Sequence, residues 1–267
     1  MTSSHLYKIS FGFLLTVLSI FSAPAKASKV DYAPYTALLK KHVKKSGESS
    51  AVNYAALRRD RRALDQFTKK LSSFSHKEYK SWTDPEKIAF LINSYNAFTL
   101  KLIVDHYPVE SIRKIGGFFS SPWKMKFFKL LGEDTHLDYV EHGTLRKDFK
   151  EARIHFAVNC ASISCPPLLD EAFLPETLYV QLEAAAEHFL RSPSFNRYDE
   201  EKNILYLSSI FKWYGSDFGN EKQLKSQIAK WMQVRSPQTL KNFMESEIQY
   251  LDYDWGLNNN LSFYENK

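Results

Sequence analysis

A long apolar segment in the first half of the chain constrains its fold more than any other feature. Thr83 and Glu86 have the spacing of a helix-capping box, and Pro85 occupies the first turn, where its missing N–H costs little. The helix continues through the residues that follow, IAFLINSYNAFTLKLIVDH. It must end near His106, because Pro108 disfavours helical geometry at the residue before it. Apolar residues cover most of the circumference, so we predict a central, largely buried helix.

Shorter segments carry the patterns of both helices and strands. Amphipathic spacing and capping residues predict further helices over residues 31–45, 62–74, 138–145, 176–190, 208–214 and 221–232. Apolar runs beside turn residues predict strands at residues 127–131, 133–137, 153–159, 195–197, 204–207 and 248–255. Because helices dominate, we predict an α+β fold: a single helix-rich globular domain with a small, mainly antiparallel sheet.

The N-terminal residues have the pattern of a secretory signal peptide. Lys8 precedes an apolar run over residues 11–21, and a small-x-small cleavage pattern ends at Ala27. The run is too short for a bilayer, which needs about 20 apolar residues. We therefore expect residues 1–27 to be removed and residues 28–267 to form one domain. The mature protein would be exported, periplasmic or secreted, without a transmembrane segment.

The charge pattern argues against a nucleic-acid partner. The net charge is +6, and the basic residues are scattered except at Lys124, Lys126 and Lys129. Aromatic residues make up 15% of the chain, which favours a well-packed core or an aromatic-lined cleft. Two aromatic–acid clusters could line a cleft for a small-molecule, peptide or glycan ligand: Trp213, Tyr214 and Asp217, and Tyr253, Asp254 and Trp255.

Both cysteines lie in one segment, RIHFAVNCASISCPP, over residues 153–167. Because an exported protein folds in an oxidising environment, a Cys160–Cys165 disulfide is one interpretation. A nucleophilic thiolate with His155 or His142 as its base is another, since a thiolate near neutral pH needs such a neighbour. Buried, inert thiols are the third.

A zinc site is a weaker alternative for the same segment. His155, Cys160 and Cys165 supply three ligands, the number that catalytic zinc often uses, although their spacing is not that of a recognised zinc motif. The predicted strand would place His155 on the same side as Ala157 and Asn159.

Polar residues also recur on single helix faces. Asn93 and Asn96 are three apart on the central helix, and buried amides need partners. They either brace the cysteine-bearing segment or orient a base or an oxyanion. A second group lies on adjacent turns of a short helix, where an acid could raise the basicity of a histidine: Asp138, Glu141, His142 and Arg146. A solvated, salt-bridged helix surface is the other interpretation of this group.

Four segments, in order along the chain, resemble the domain-of-unknown-function family 547, which includes exported bacterial proteins. They are IAFLINSYNAFTLKLIVDHYPVESI, LDYVEHGTLR, RIHFAVNCASISCPPL with the following EAF, and IFKWYGSDF. VNYAAL, SPWKMKFFKLLG and YLDYDWGLN also look like family features, so the resemblance covers about residues 50–258. It places these polar residues at motif positions: Asn93, Asn96, His142, His155, Cys160 and Cys165. Glu141, Arg146 and Arg153 are candidate supporting polar groups. Because polar groups are costly to bury, the resemblance implies a polar site, but no particular reaction.

Two functions are compatible with such a site. The first is a thiol-dependent hydrolase or acyl transferase acting on peptide, amide or ester bonds, with Cys160 as nucleophile and His142 or His155 as base. Asn93 or Asn96 would orient the base or bind the oxyanion. The second is a non-catalytic envelope binding module whose cleft is shaped by a disulfide. Neither function requires a cofactor.

Overall fold

The computed structural model describes residues 29–117 and 120–259 of the 267-residue chain, so the predicted signal peptide lies outside the described residues. The α-helices are α1 Ala33–His42, α2 Tyr54–Arg59, α3 Arg62–Ser72, α4 His76–Lys80, α5 Asp84–His106, α6 Arg146–Asp148, α7 Leu178–Leu190, α8 Ser209–Tyr214, α9 Glu221–Trp231 and α10 Pro237–Glu245. The strands are β1 Val43–Ser46, β2 Ser49–Val52, β3 Phe128–Leu130, β4 Glu133–Thr135, β5 Arg197–Asp199, β6 Ile204–Leu207 and β7 Glu247–Tyr250. A π-helix covers Tyr139–Leu145, and 3-10 helices cover Ile112–Lys114, Pro122–Lys124, Ala152–Phe156 and Gly215–Phe218. The predominance of helices confirms the predicted α+β class.

Helix α5 is the centre of the fold. The Thr83 N–H donates to the Glu86 carboxylate at 2.7 Å, and the Glu86 N–H donates to the Thr83 hydroxyl, so the predicted capping box is formed. The helix ends at His106, as predicted. Every residue over positions 88–100 is buried, which means that the other elements enclose the middle of this helix on all sides.

The strands form three small sheets within the described residues. β1 pairs with β2, β3 with β4, and β5 with β6, each pair antiparallel. β7 then joins β6 in parallel, with Ile204 opposite Glu247 and Leu207 opposite Tyr250. The pairing is therefore mainly antiparallel, as predicted, although it is divided among separate sheets.

Two clusters of buried apolar side chains stabilise this arrangement. The first surrounds α5 and draws on α1, α2 and α3. The second joins α7, α8, α9 and α10 through large rings that include Phe156, Phe211 and Trp231. The segment over residues 152–158 contributes to both clusters, since Ile154 and Val158 belong to the first and Phe156 to the second. This segment therefore lies at the boundary between the clusters.

The predicted strand over residues 153–159 is wrong, because Ala152–Phe156 is a 3-10 helix. The Glu151 side chain accepts from the Arg153 N–H at 3.1 Å, and the Ala157 N–H donates to the Ile154 carbonyl at 2.9 Å, so the backbone turns at once. A short apolar run that is buried between two clusters has no solvent face, so its sequence does not distinguish helix from strand. Because this segment is not a strand, the prediction that His155, Ala157 and Asn159 lie on one side of it is wrong as well.

Residues 251–258, which we call the closing segment, follow β7 without regular structure. The prediction of a strand over residues 248–255 is therefore correct only for its first part. The Ile163 N–H donates to the Gly256 carbonyl at 2.8 Å, the Leu257 N–H to the Glu110 carbonyl at 2.8 Å, and the Asn258 N–H to the Ala161 carbonyl at 3.1 Å. The closing segment thus fixes the cysteine loop against the end of α5. Within the described ranges, no helix combines the length and apolar character needed to cross a membrane.

Candidate functional site

The π-helix Tyr139–Leu145 places two polar side chains beside a cavity. This wide helical geometry is rare and is frequently found at functional sites. Glu141 is buried within it, and His142 is partly exposed. Position 143 of this helix requires glycine, because a Cβ at Gly143 would overlap the ring of Tyr139. The short helix that the sequence predicts here is thus present, but as a π-helix whose Asp138 forms no side-chain cap.

The cavity has a volume of about 270 Å³ and is lined by residues of both apolar clusters. Asp138, Glu141, His142 and His155 provide its carboxyl and imidazole groups. Cys160 and Cys165 line the same space. The structure therefore brings together both predicted histidines, both cysteines and Glu141.

Aromatic rings form one wall of this cavity. The ring of Tyr253 lies 4.9 Å from that of Trp213 and 4.5 Å from that of Trp255, measured between centroids. Trp123 meets Trp255 edge to face at 5.7 Å. Trp213 is 43% exposed, so part of its ring is free to contact a ligand. The two aromatic clusters picked out in the sequence therefore meet here, and they form a cleft surface as well as core.

Glu141 is a buried carboxyl group in the cavity wall. It lies close enough to the hydroxyl of Tyr95 on α5 for each group to shift the pKa of the other. Burial raises the pKa of Glu141, against the opposing effects of His142, Tyr95 and Arg146. The pKa of Tyr95 is raised as well, chiefly by burial, so its hydroxyl stays protonated. This pair can exchange hydrogen bonds with a polar ligand.

His155 lies between a carboxylate and an aromatic ring. Its Nε2 is 2.7 Å from the Asp217 carboxylate, and its ring stacks on Tyr214 at 4.2 Å. Burial lowers the pKa of His155 to about 4, although Asp217 opposes the shift. The imidazole is therefore neutral near pH 7, with its Nε2–H donating to Asp217. Nδ1 is buried and has no hydrogen-bond partner among the residues that the structure describes.

Arg146 connects the two histidines. Its guanidinium donates two hydrogen bonds of 2.7 Å to Asp217 and one of 3.0 Å to Nδ1 of His142. The bonds from Arg146, with that from His155, lower the pKa of Asp217 to about 2. Nε2 of His142 lies 4.0 Å from Asp138. The predicted acid–histidine proximity thus exists for His142. The pair of His155 and Asp217 was not predicted, because the two residues are distant in sequence.

The sulfur atoms of Cys160 and Cys165 lie at disulfide distance, with their Cα atoms 6.4 Å apart. The Cys160 N–H donates to Sγ of Cys165 at 3.0 Å, and the Tyr253 hydroxyl donates to the same sulfur at 3.2 Å. The hydroxyl of Ser162 lies 3.0 Å from Sγ of Cys160. Within residues 29–117 and 120–259, neither histidine forms a hydrogen bond with either sulfur.

Asn93 and Asn96 bind backbone rather than the cavity. Asn93 donates to the Phe173 carbonyl at 2.7 Å and accepts from the Phe173 N–H at 3.0 Å. Asn96 donates to the Ala157 carbonyl at 2.9 Å and accepts from the Asn159 N–H at 2.8 Å. Both amides therefore brace neighbouring segments, and neither lines the cavity that could hold a substrate.

Two further sequence-based assignments do not converge on the cavity. Arg153 is bound to Glu151 and Glu183, at 2.6 and 2.9 Å, and does not line it. The zinc alternative of His155, Cys160 and Cys165 is not assembled, because the histidine bonds Asp217 and the cysteines lie against each other. Across residues 29–117 and 120–259, no group of three or more His, Cys, Asp or Glu side chains could hold a metal ion.

The family model described as "Protein of unknown function, DUF547" matches residues 79–190. This part of the chain is similar to the DUF547 family. Neither the curated proteins nor the solved structures gave a significant match. The match is narrower than the resemblance seen in the sequence, so family features before residue 79 and after residue 190 remain a prediction.

The DUF547 match divides the cavity into two parts. The polar groups of Glu141, His142 and His155 and the two sulfurs lie inside the matched range, as does Trp123. Most of the aromatic wall lies beyond it: Trp213, Tyr214, Tyr253 and Trp255. The DUF547 segment therefore supplies the polar side, and later residues of this chain supply most of the surface on which a ligand would stack.

Some residues that line the cavity are not predicted from the sequence. Tyr95 looks like core, although its hydroxyl, buried in an apolar helix, needs a partner and so signals a polar neighbour. Ser121 and Trp123 are noticeable only as part of the SPWKMKFFKLLG segment.

Proposed function

We propose that the mature chain is an exported binding module that holds a sugar ring in the aromatic cavity. The observation that carries the proposal is the wall formed by Trp123, Trp213, Tyr253 and Trp255, in the same cavity as Glu141 and His142. Export is supported by the signal-peptide pattern of residues 1–27 and by a cysteine pair at disulfide distance.

A sugar matches this combination of groups because it has both an apolar face and a polar rim. The apolar C–H face of a sugar ring packs on indole and phenol rings. The hydroxyl groups at its rim can bond to carboxyl and imidazole groups such as those of Glu141 and His142. The volume of about 270 Å³ lies just below the range of about 300–1,000 Å³ that is usual for ligand pockets. It suits one ring or the end of a glycan better than an extended peptide.

Calorimetric titration of mature protein with neutral mono- and disaccharides, and with uncharged tripeptides for comparison, tests the proposal. We expect the saccharides to bind, and Trp213→Ala to weaken binding about tenfold, since loss of a stacking ring costs roughly 1.4 kcal/mol. Tyr179→Ala is the matched control, because Tyr179 is an aromatic residue of similar exposure that does not line the cavity. Saccharides that fail to bind, or a tripeptide that binds more tightly, would overturn the assignment.

A thiol-dependent hydrolase or acyl transferase is the second candidate. What favours it is that Cys160, His142 and His155 line one cavity. The nucleophile would have to be released from Cys165, and His155 would act through Nδ1, since its Nε2 is bound to Asp217. We expect any esterase activity toward a chromogenic acetate ester to need a reductant and to vanish in Cys160→Ser. Equal rates for Cys160→Ser and the unmodified protein would exclude this function.

A further inference from the structure

We propose that the Cys160–Cys165 pair is a thiol–disulfide exchange site, in which a thiol that enters the cavity attacks Cys160 and Cys165 leaves. The substrate class is a small thiol, or the cysteine of a short peptide. The proposal does not depend on sugar binding, because it rests on the surroundings of the two sulfur atoms.

The two cysteines differ in their exposure. Both line the cavity, but Cys165 is 5% exposed and counts as core, whereas Cys160 is only partly buried. Exchange depends on which sulfur the attacking thiolate can reach. The exposure therefore selects Sγ of Cys160 as the point of attack.

The surroundings of the buried sulfur, Sγ of Cys165, favour its departure as a thiolate. Sγ of Cys165 accepts hydrogen bonds from the Cys160 N–H at 3.0 Å and from the Tyr253 hydroxyl at 3.2 Å. Hydrogen bonds to the charged form stabilise a thiolate, and a more stable thiolate leaves faster. Burial raises the pKa of Tyr253, so its hydroxyl keeps the proton that it donates. The Ser162 hydroxyl lies 2.9 Å from that of Tyr253 and can hold it in place.

The reaction proceeds in two balanced steps. First, the thiolate of the substrate attacks Sγ of Cys160, a mixed disulfide forms, the Cys160–Cys165 bond breaks, and its electron pair goes to Cys165 as a thiolate. Second, another thiolate of the same class attacks the substrate sulfur of the mixed disulfide and displaces Cys160 as a thiolate. Two substrate thiols are thereby oxidised to their disulfide, and the protein pair is reduced by two electrons.

The first test asks which cysteine reacts. Cys165→Ser leaves Cys160 as a single thiol, and Cys160→Ser leaves Cys165. After incubation with oxidised glutathione, we expect intact-mass analysis to find the mixed disulfide on Cys160 at least tenfold faster than on Cys165. In denaturant the two variants should react equally, which controls for intrinsic reactivity. Equal rates in the folded proteins, or faster reaction at Cys165, would refute the proposal.

The second test asks whether Tyr253 acts on the leaving group. Tyr253→Phe keeps the ring but removes the donor, so we expect reduction of the pair by glutathione to slow about tenfold. In the Cys160→Ser background, the same change should raise the pH at which the Cys165 thiol becomes reactive toward iodoacetamide. Tyr198→Phe is the matched control, because its hydroxyl bonds Asn203 away from the sulfurs. A Tyr253→Phe protein with unchanged reduction rate and unchanged pH profile would show that the hydroxyl serves packing alone.

Discussion

His155 is held in a neutral form by its surroundings. It is 2% exposed, stacks on Tyr214 and donates to Asp217, and the carboxylate only partly offsets the cost of charging a buried ring. Arg146, which also pairs with Asp217, further opposes a positive charge on the imidazole. At the scale of single residues, the cavity therefore contains a neutral imidazole whose Nδ1 accepts no hydrogen bond from the described part of the chain.

This arrangement predicts a pH-dependent stability. The pKa of His155 is about 4 in the folded protein and near 6.5 in the unfolded chain. As the pH falls from 6.5 to 4, the unfolded chain takes up a proton that the folded protein does not. The free energy of unfolding should therefore decrease by roughly 3 kcal/mol over this window. His155→Gln, which does not titrate, should flatten the decrease in urea-unfolding series from pH 7 to 4.5, and His76→Gln at an exposed position should not. An equal decrease in the free energy of unfolding for all three proteins would contradict the assignment of this pH dependence to His155.

At the scale of elements, the π-helix Tyr139–Leu145 sets the polar side of the cavity. The wider turn leaves little space between Tyr139 and Gly143, where a side chain would overlap the tyrosine ring. Tyr139 itself is 52% exposed, so it gains little from burial. The glycine is therefore required by the close approach of one ring and not by an unusual backbone angle.

Gly143→Ala should destabilise the protein by about 1–3 kcal/mol, as overpacking does elsewhere. Because the clash is with one ring, Tyr139→Ala in the same chain should recover most of this loss, while Tyr139→Ala alone should cost little. Urea unfolding of the single and double variants measures the coupling. Strictly additive changes would mean that the glycine is needed for another reason.

The elements also differ in how well the sequence predicts them. α5 could be predicted because Thr83, Glu86 and Pro108 mark its ends within the local sequence. The 3-10 helix at Ala152–Phe156 could not, because a short apolar run buried between two clusters has no periodicity that distinguishes helix from strand. For the site, the thiols and His155 stand out locally. Their contacts with Asp217 and Tyr253 span 62 and 88 residues, and no spacing rule reaches so far.

At the scale of the whole molecule, the closing segment joins parts of the chain that are distant in sequence. Asn258 is buried, accepts from the Tyr54 hydroxyl at 2.7 Å on α2, and also accepts from the Val52 N–H through its backbone carbonyl at 2.8 Å. Tyr253 and Trp255 of the same segment line the cavity. The position of the aromatic wall thus depends on contacts outside the site.

Asn258→Ala should therefore affect both stability and binding. Loss of the buried acceptor should lower the free energy of unfolding by about 1–3 kcal/mol. Saccharide affinity should fall as well, although Asn258 does not line the cavity. Asn242→Ala, at an exposed position of α10, should stay within about 0.5 kcal/mol of the unmodified protein. Calorimetric titration and urea unfolding of both variants measure these effects, and a stability loss with unchanged affinity would separate the segment from the site.

The late position of the closing segment has a consequence for the order of assembly. Cys160 and Cys165 leave the ribosome close together, but Tyr253 follows 93 residues after Cys160. During synthesis, both cysteines are therefore present long before the ribosome adds the residues that cover them in the folded protein. A cysteine pair that meets an oxidant at that stage can join while still open to solvent. In that case, the docking of residues 251–258 would enclose a bond that has already formed.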